Sequence, residues 1–477
     1  MINNKLKNIT IDEKSTIEKA LKKIKLNGQG TCFVTDKRNK IIGIVTDGDI
    51  RKLILRKVSI KTQIKKYFNN NFFSMPSETE GHEARNKLKK GRKIIPLVNK
   101  QGILTDYVSL TKNKEIPLVK PDLNGNEKNY LIDCINSTFV SSKGKYISLF
   151  EKKFRNYYKA NYSLAVSSCT AGLTLALSSL KLNKTDEVIV PNVTFVSPIN
   201  SIIHNYARPV LCDVNEKNFT IDLNSLKKLI NKKTKAIICV HIYGHPCDMD
   251  EIQKLIKNKG IFLIEDCAEA IGTKYKNKKI GSFGDCSVFS FFGNKTLTTG
   301  EGGMILFKKK ENYLRCLNLR DHGMDTKKKY WHDNVGYNFR MTNMQAALGV
   351  AQMEKINLLI KTKVDIAKTY NKYLKNFEKI VIPKTEKWAS HSFWLYNIII
   401  KDGNEKGRDN LIFKLSQAGI EARPMFYPAS DMKIYSKFKK DINYSKISYK
   451  GLSLPSYIGL SNEEIKFICS KLKSLIF

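Results

Sequence analysis

From about residue 120, short apolar runs alternate with amphipathic stretches for more than 200 residues. The runs EVIVPN, PVLCDV, AIICVHI and IFLIEDC end in polar residues, and LNSLKKLINK and MDEIQKLIKNK lie between them with apolar residues at helical spacing. Few arrangements satisfy this alternation. Strands that are apolar on both faces must be covered by the helices that connect them, which makes a mostly parallel sheet between two helical layers. Ligands of such α/β sheets sit beyond the carboxyl ends of the strands. The polar residues that close each run are therefore the first candidates for a site.

The chain has 477 residues, more than one such layer needs, so the N-terminal region is read separately. It contains a repeated pattern. ITIDEKSTIEKALKKI is followed by TCFVTDKRNKIIGIVTDGDI, and SMPSETEGHEARNKLKK by KIIPLVNKQGILTDYVSL. Each copy reads as a helix, two strands about a polar turn, and a helix, with Gly43 and Gly102 in matching positions 59 residues apart. The GIVTDGDI stretch resembles a tandem CBS-domain pair. That resemblance implies an adenosine-nucleotide (AMP or ATP) site at Thr46 and Asp49, an aspartate being able to take both ribose hydroxyls. The second copy reads Thr105-Asp106-Tyr107-Val108 and lacks the aspartate. A pair that only packs is the alternative. The stretch TKNKEIPLVKPDLNGNEK, with two prolines and little periodicity, reads as a linker. Expected boundaries are 1–117, 118–365 and 366–477, the last a smaller α+β lobe with strands such as FWLYNIII.

Three stretches carry chemistry. IFLIEDC ends in Glu265-Asp266, placing a carboxylate at the ligand edge, able to hold a metal, a ribose or a protonated ring nitrogen. SVFSFFGNKTLTTGEGGM runs from an apolar strand into a glycine-rich loop with one lysine, Lys295; Gly300, Gly302 and Gly303 allow close backbone approach and positive φ. A lysine shielded from water can act as nucleophile or base. SSCTAGLTLAL puts Ser168, Cys169, Thr170 and Ala171 at a helix start, where free N–H groups and the helix dipole favour a phosphate; an ordinary N-cap is the plainer reading. A phosphate anchor, a ring-nitrogen partner and an amine for a Schiff base are together what pyridoxal 5'-phosphate needs.

Residues from about 120 to 477 resemble the DegT/DnrJ/EryC1/StrS family of sugar aminotransferases, and SFFGNKTLTTGEGGM carries most of that resemblance. It implies a fold type I architecture with Lys295 as the Schiff-base lysine and Asp266 facing the pyridine nitrogen. Ser168, Cys169, Thr170 and Ala171 match the phosphate-binding helix start, with Cys169 where glycine is usual, and Ser290 matches a phosphate-contacting serine. Phe195 in PNVTFVSP matches the aromatic that stacks on the cofactor. Asn338 in GYNFRMTN matches a residue reaching the phosphate of a neighbouring subunit, which implies a homodimer or higher homo-oligomer. Glu269 stands where many members carry His or Gln, and Ser430 where many carry His. EDCAEAIG, KKYWHDNVGYNFRMTN and EARPMFYP resemble the GDP-perosamine synthase branch. This implies amination of a nucleotide-linked 4-keto-6-deoxyhexose by L-glutamate, for a surface glycan such as O-antigen lipopolysaccharide. The competing readings are a different keto sugar, a 3-dehydratase, which Lys295 opposes because those enzymes carry His there, and a non-catalytic binding or regulatory protein.

Composition excludes other classes. Lys and Arg number 83 against 44 Asp and Glu, a net +39, but only 12 are Arg and the lysines are spread along the chain, so no nucleic-acid partner is expected. Ten cysteines stand singly with no CxxC pair, and His241 and His245 of HIYGHP lie in a strand-to-loop segment, so no metal is expected. The start MINNKLKNITIDEK has no apolar leader, and no run approaches the ~18 residues that span a bilayer. A soluble, cytoplasmic protein with no membrane partner is the expectation.

Overall fold

A computed structural model describes residues 4–79, 87–88, 94–109, 116–325, 327–438 and 442–476. The chain forms two compact units, 1–115 and 116–477.

In the first unit, β1 (Thr10–Asp12) pairs parallel to β2 (Thr31–Thr35), and β2 pairs antiparallel to β3 (Ile41–Thr46). The helix Ile17–Asn27 buries Ile17, Ala20 and Ile24; Thr16 caps its start and Gly28, at φ 63°, ends it. A second sheet of β4 (Met75–Pro76), β5 (Ile94–Val98) and β6 (Leu104–Ser109) repeats the same pairing. The duplication is present, but its register differs from the sequence expectation. Thr35 pairs with Ile41 and Val98 with Leu104, an offset of 104 − 41 = 63 rather than 59. Gly102, at φ 77°, therefore lies in the turn before β6, whereas Gly43 lies inside β3. The counterpart of Thr46 is Ser109, not Thr105. Strand side chains alternate with period two, so a slip of four keeps every face and leaves the pattern unchanged. The counterpart of Asp49 is Lys112 (49 + 63), which, like residues 80–86, 89–93 and the rest of 110–115, lies outside the described residues.

The second unit is built on seven strands: β7 (Tyr162–Val166), β8 (Glu187–Pro191), β9 (Arg208–Cys212), β10 (Thr234–Val240), β11 (Phe262–Asp266), β14 (Cys286–Ser290) and β15 (Gly303–Phe307). Between them, β12 (Lys274–Tyr275) and β13 (Lys278–Lys279) make a short hairpin. The spatial order is β7-β15-β14-β11-β10-β8-β9, and every pair is parallel except the two that involve β15. Ile189, Ile237, Leu263 and Phe289 pack on one face and Val188, Ile238, Ile264 and Val288 on the other, as two-sided apolar runs require. Each such burial contributes on the order of 1.5–3 kcal/mol. β15 is antiparallel because the chain returns from β14 through a loop instead of a crossover helix, and that loop carries Lys295.

The smaller lobe is an antiparallel sheet ordered β16 (Ile380–Val381), β18 (Tyr396–Ile400), β20 (Gly451–Leu454), β19 (Arg423–Pro424); β17 (Ala389–Ser390) pairs with β12. Two expected boundaries move. Ile116 is buried and pairs with Ile420, so the second unit begins at 116, not 118. The helix Ile356–Leu374 runs through position 365, with Ile356 in the large-sheet core and Ile366, Tyr370 and Leu374 in the small-lobe core, so 116–477 forms one unit. All ten cysteines are buried thiols. Among the described residues no helix is long and apolar enough to cross a membrane.

Candidate active site

The carboxyl ends of β8, β10, β11 and β14 open onto a cavity of about 390 Å³. β11 delivers two carboxylates to this edge with different surroundings. Glu265 accepts the N–H groups of Gly281, Phe283 and Gly284 at 2.7, 2.8 and 2.7 Å and meets His241 Nε2 at 3.0 Å. Burial alone would raise its carboxyl, but His241 and these donors hold it below the ordinary range. Among the described residues Asp266 has one donor, the Ala268 N–H at 3.0 Å. Burial pushes its carboxyl up, against the pull of that bond and of Lys295. A buried carboxylate facing a cavity with so few donors suits a cationic partner there.

Lys295 lies in the loop between β14 and β15. Its Nζ sits 3.6 Å from the centre of the Trp394 ring and 3.5 Å from Glu269 Oε1. Trp394 is fixed by its indole N–H, which donates to Asn294 O at 2.8 Å. Glu269 Oε2 accepts the Tyr243 N–H at 2.7 Å, and burial raises the Glu269 carboxyl while Lys295 opposes that rise. The lysine amine is thus held between an aromatic face and a carboxyl at the end of the sheet.

On the opposite wall the helix Cys169–Ser178 begins. Ser168 caps it, its hydroxyl accepting the Ala171 N–H at 3.1 Å, so the Ala171 amide is spent and Ala171 does not line the cavity. Ser168, Cys169 and Thr170 do line it, and the Thr170 hydroxyl bonds the hydroxyl of Ser197 at the start of the next helix. A Cβ on Gly303 would stand 2.7 Å from the Ser168 carbonyl carbon, so only glycine lets β15 press this helix start toward the cavity. Burial raises the Cys169 thiol and keeps it neutral. Ser290 lines the same wall, and Phe195 and Phe292 stand 57% and 45% exposed at the cavity mouth. Hydroxyls at a helix start, an underpartnered carboxylate, a lysine amine and an uncovered aromatic face fit the phosphate, ring nitrogen, aldehyde and ring of pyridoxal phosphate.

Other expected residues are placed elsewhere. Asn338 does not line this chain's cavity; its side chain accepts the Arg340 Nε–H at 3.1 Å. Ser430 is buried against Asn192, donating its N–H to Asn192 Oδ1 at 2.8 Å, and is structural. Thr46 and Asp49 form a reciprocal cap on the helix Asp47–Leu55, with Asp49 Oδ2 2.7 Å from Thr46 Oγ1. His241, Glu265 and Cys267 cluster within 4.8 Å, but both ring nitrogens of His241 are engaged, Nδ1 by the Cys247 N–H at 3.0 Å, and both oxygens of Glu265 are taken by backbone N–H groups. The donor set is spent on structure.

Among the lining residues that sequence reasoning missed are Leu118, Val119, Ser197, Trp394 and Arg423. Leu118 and Val119 were hidden in a linker-like composition; their signal is a short apolar pair inside a polar stretch.

The family model for DegT/DnrJ/EryC1/StrS aminotransferases matches residues 121–473. The chain belongs to this family. A CBS-domain model matches residues 5–56. The aminotransferase is 43% identical over 360 residues to GDP-perosamine synthase of Escherichia coli O157:H7, covering 75% of this chain and 98% of that one. It is likewise 43% identical over 362 residues to GDP-perosamine synthase of Vibrio cholerae, covering 75% and 98%. Among solved structures, Helicobacter pylori PseC, an aminotransferase involved in pseudoaminic acid biosynthesis, superposes with a TM-score of 0.73 at 26% identity, covering 76% of this chain and 99% of that one. This aminotransferase is a pyridoxal-phosphate enzyme, in keeping with the fit of its cavity residues to that cofactor.

Proposed function

We propose that the protein transfers the amino group of L-glutamate to the 4-ketone of a GDP-linked 4-keto-6-deoxyhexose, making a perosamine-type amino sugar for a surface glycan. The observation that carries this reading is the Lys295 amine between Trp394 and Glu269 in a cavity that also holds the underpartnered Asp266. The likeness to GDP-perosamine synthases supports the carrier and the position of amination.

When bound, pyridoxal phosphate supplies a ring that stabilises negative charge at the carbon losing a proton. Ser168, Thr170, Ser197 and Ser290 would hold its phosphate, Asp266 its ring nitrogen, and Phe195 one ring face. Lys295 Nζ would take the Cα proton of the amino donor as general base and give it up on the cofactor side as general acid, so that the donor leaves as its keto acid. Glu269 Oε1, 3.5 Å from Nζ, would steady the amine once it has taken that proton. Trp394 covers Nζ and keeps water from it. On the sugar half, Lys295 Nζ delivers the proton to C4, so one amine serves both directions. The active form is a homodimer in which Asn338 serves the partner's phosphate site; its place away from its own chain's cavity supports this. The CBS pair binds AMP or ATP at Thr46 and Asp49.

A panel of GDP-, UDP- and dTDP-linked 4-keto-6-deoxy sugars incubated with L-glutamate and read by mass shift tests the proposal. Conversion of the GDP sugar is expected. Loss of the cofactor's absorbance band with L-glutamate, but no product from any sugar of the panel, would assign a different acceptor. Borohydride trapping on a lysine other than Lys295 would end the site assignment.

A further inference from the structure

The first residues of the catalytic unit are built into its active-site wall. Ile116 donates its N–H to Gly419 O at 2.7 Å and accepts the Glu421 N–H at 2.9 Å, making a short parallel pairing with the small lobe. Leu118 O accepts the Ser456 N–H at 2.8 Å. Ile116 is 1% and Leu118 2% exposed, the first in the small-lobe core and the second in the large-sheet core. Leu118 and Val119 both line the cavity that holds Lys295. This segment is the point where the chain enters from the first unit, which ends at residue 115. The GDP-perosamine synthases align over 98% of their own length with 75% of this chain, which leaves them no room for a counterpart of that unit.

One side chain connects this segment to the cavity's arginine. Glu421 Oε2 accepts the Leu118 N–H at 2.8 Å. Glu421 Oε1 accepts Arg423 Nε–H and Nη2–H at 3.0 and 2.7 Å, and Arg423 lines the cavity. The ion pair is exposed on both sides and adds little stability. Its effect is orientation. A carboxylate tied at one oxygen to the N–H of a buried residue and at the other to two guanidinium N–H groups fixes where the free edge of the arginine points. Arg423 faces a cavity whose substrates, on the reading above, bear carboxylate or phosphate oxyanions.

We infer that Glu421 is a positioning residue that couples the segment Ile116–Val119 to Arg423, so that the segment entering from the first unit sets how tightly the enzyme holds an oxyanion of its substrate. The inference rests on the proposed function only for which substrate supplies that oxyanion. Displacing the segment moves the Leu118 N–H, then the Glu421 carboxylate, then the guanidinium. Linkage makes the effect reciprocal: a substrate that engages Arg423 must also change the protection of the Leu118 amide.

The test uses the full chain loaded with cofactor. Glu421→Gln keeps an acceptor for Leu118 and removes the negative charge that faces Arg423. It is expected to raise KM about tenfold with kcat within about twofold and an unchanged cofactor absorbance band. Arg423→Ala should do the same, and the double variant should be no worse than Arg423→Ala alone, because the two act through one contact. Two arms distinguish the source of the oxyanion: the L-glutamate half-reaction, followed by loss of the cofactor band, and the full reaction at varied GDP sugar. A KM change confined to the first arm assigns a carboxylate, one confined to the second a phosphate. Additive effects, or a fall in kcat at constant KM, overturn the inference. Hydrogen exchange gives a readout independent of turnover. Glu421→Ala should speed exchange of the Leu118 amide about tenfold over wild type. Equal exchange in the two proteins overturns the inference whatever sugar is aminated, whereas failure of every sugar with the exchange and half-reaction effects intact overturns only the acceptor.

Discussion

Burial costs a carboxylate several kcal/mol unless donors replace the water it loses. Four groups do so at Glu265, whereas Asp266, one residue later, has among the described residues the single Ala268 N–H. On the proposed function, the ring nitrogen of the cofactor would be the further partner of Asp266. Asp266→Asn keeps the shape and removes the charge, so kcat should fall roughly 10- to 100-fold, the worth of one charge-assisted hydrogen bond, while borohydride still traps cofactor on Lys295. A kcat within twofold of wild type would take Asp266 out of the ring-nitrogen role. Glu269 bears the same tension in the protein freed of cofactor. Its folded carboxyl is raised by burial, so the folded state holds the proton more tightly than the unfolded chain does. Its contribution to stability is complete below the unfolded carboxyl range and is lost as pH rises through the raised folded value. Glu269→Gln, which keeps an acceptor for the Tyr243 N–H, should therefore raise the melting temperature of cofactor-free protein by about 2 °C at pH 8 and leave it unchanged at pH 4. An equal shift at both values would show that charge is not the cause.

The end of β9 joins the two lobes through one aspartate. Asp213 Oδ1 accepts the N–H of Val214 at 2.9 Å and the N–H and hydroxyl of Ser445 at 3.0 and 2.7 Å; Oδ2 accepts the N–H groups of Asn443 and Tyr444 at 2.6 and 2.9 Å. Burial alone would raise this carboxyl, but the donors together hold it below the ordinary range. The stabilisation is present above the unfolded value near 3.9 and is lost as pH falls toward the depressed folded one. Asp213→Asn should cost about 2–4 kcal/mol at pH 7 in urea unfolding, and the gap from wild type should narrow below about pH 4. A pH-independent gap would count against the carboxylate's charge. No sequence pattern announces this contact, since its partners lie about 230 positions away. The sheet itself was legible because β8, β10, β11 and β14 are apolar on both faces, and Lys295 was legible because glycines with φ 82° and 154° follow it. The repeat offset was not, because a slip of four residues preserves strand faces. Nor was the role of Leu118, whose partner Glu421 is 303 positions distant.

At the scale of the whole molecule, the surplus of lysine explains little, and the added first unit poses the larger question. The net charge of +39 is spread along the chain, and among the described residues the one lysine that lines the cavity, Lys295, is held by Trp394 and Glu269. The first unit has its own cores and a duplicated sheet, so it is a module attached to an enzyme whose relatives work without it. Its polar feature is the Thr46–Asp49 box, where Asp49 Oδ2 is committed to Thr46. A ribose would compete for the same carboxylate, so nucleotide binding must loosen the cap or use the other oxygen. Both routes make Asp49 costly to lose. Calorimetric titration of the full chain with AMP and with ATP should show one site per chain, because the counterpart position in the second copy is a lysine. Asp49→Ala should weaken that site at least about tenfold and also destabilise the helix Asp47–Leu55 by about 1 kcal/mol. Asp49→Asn separates the two effects: it keeps an acceptor for the cap but offers a ribose one acceptor oxygen instead of two. If Asp49→Asn binds as tightly as wild type, the carboxylate caps a helix and nothing more; if wild type binds neither nucleotide, the first unit is not an adenosine-nucleotide sensor.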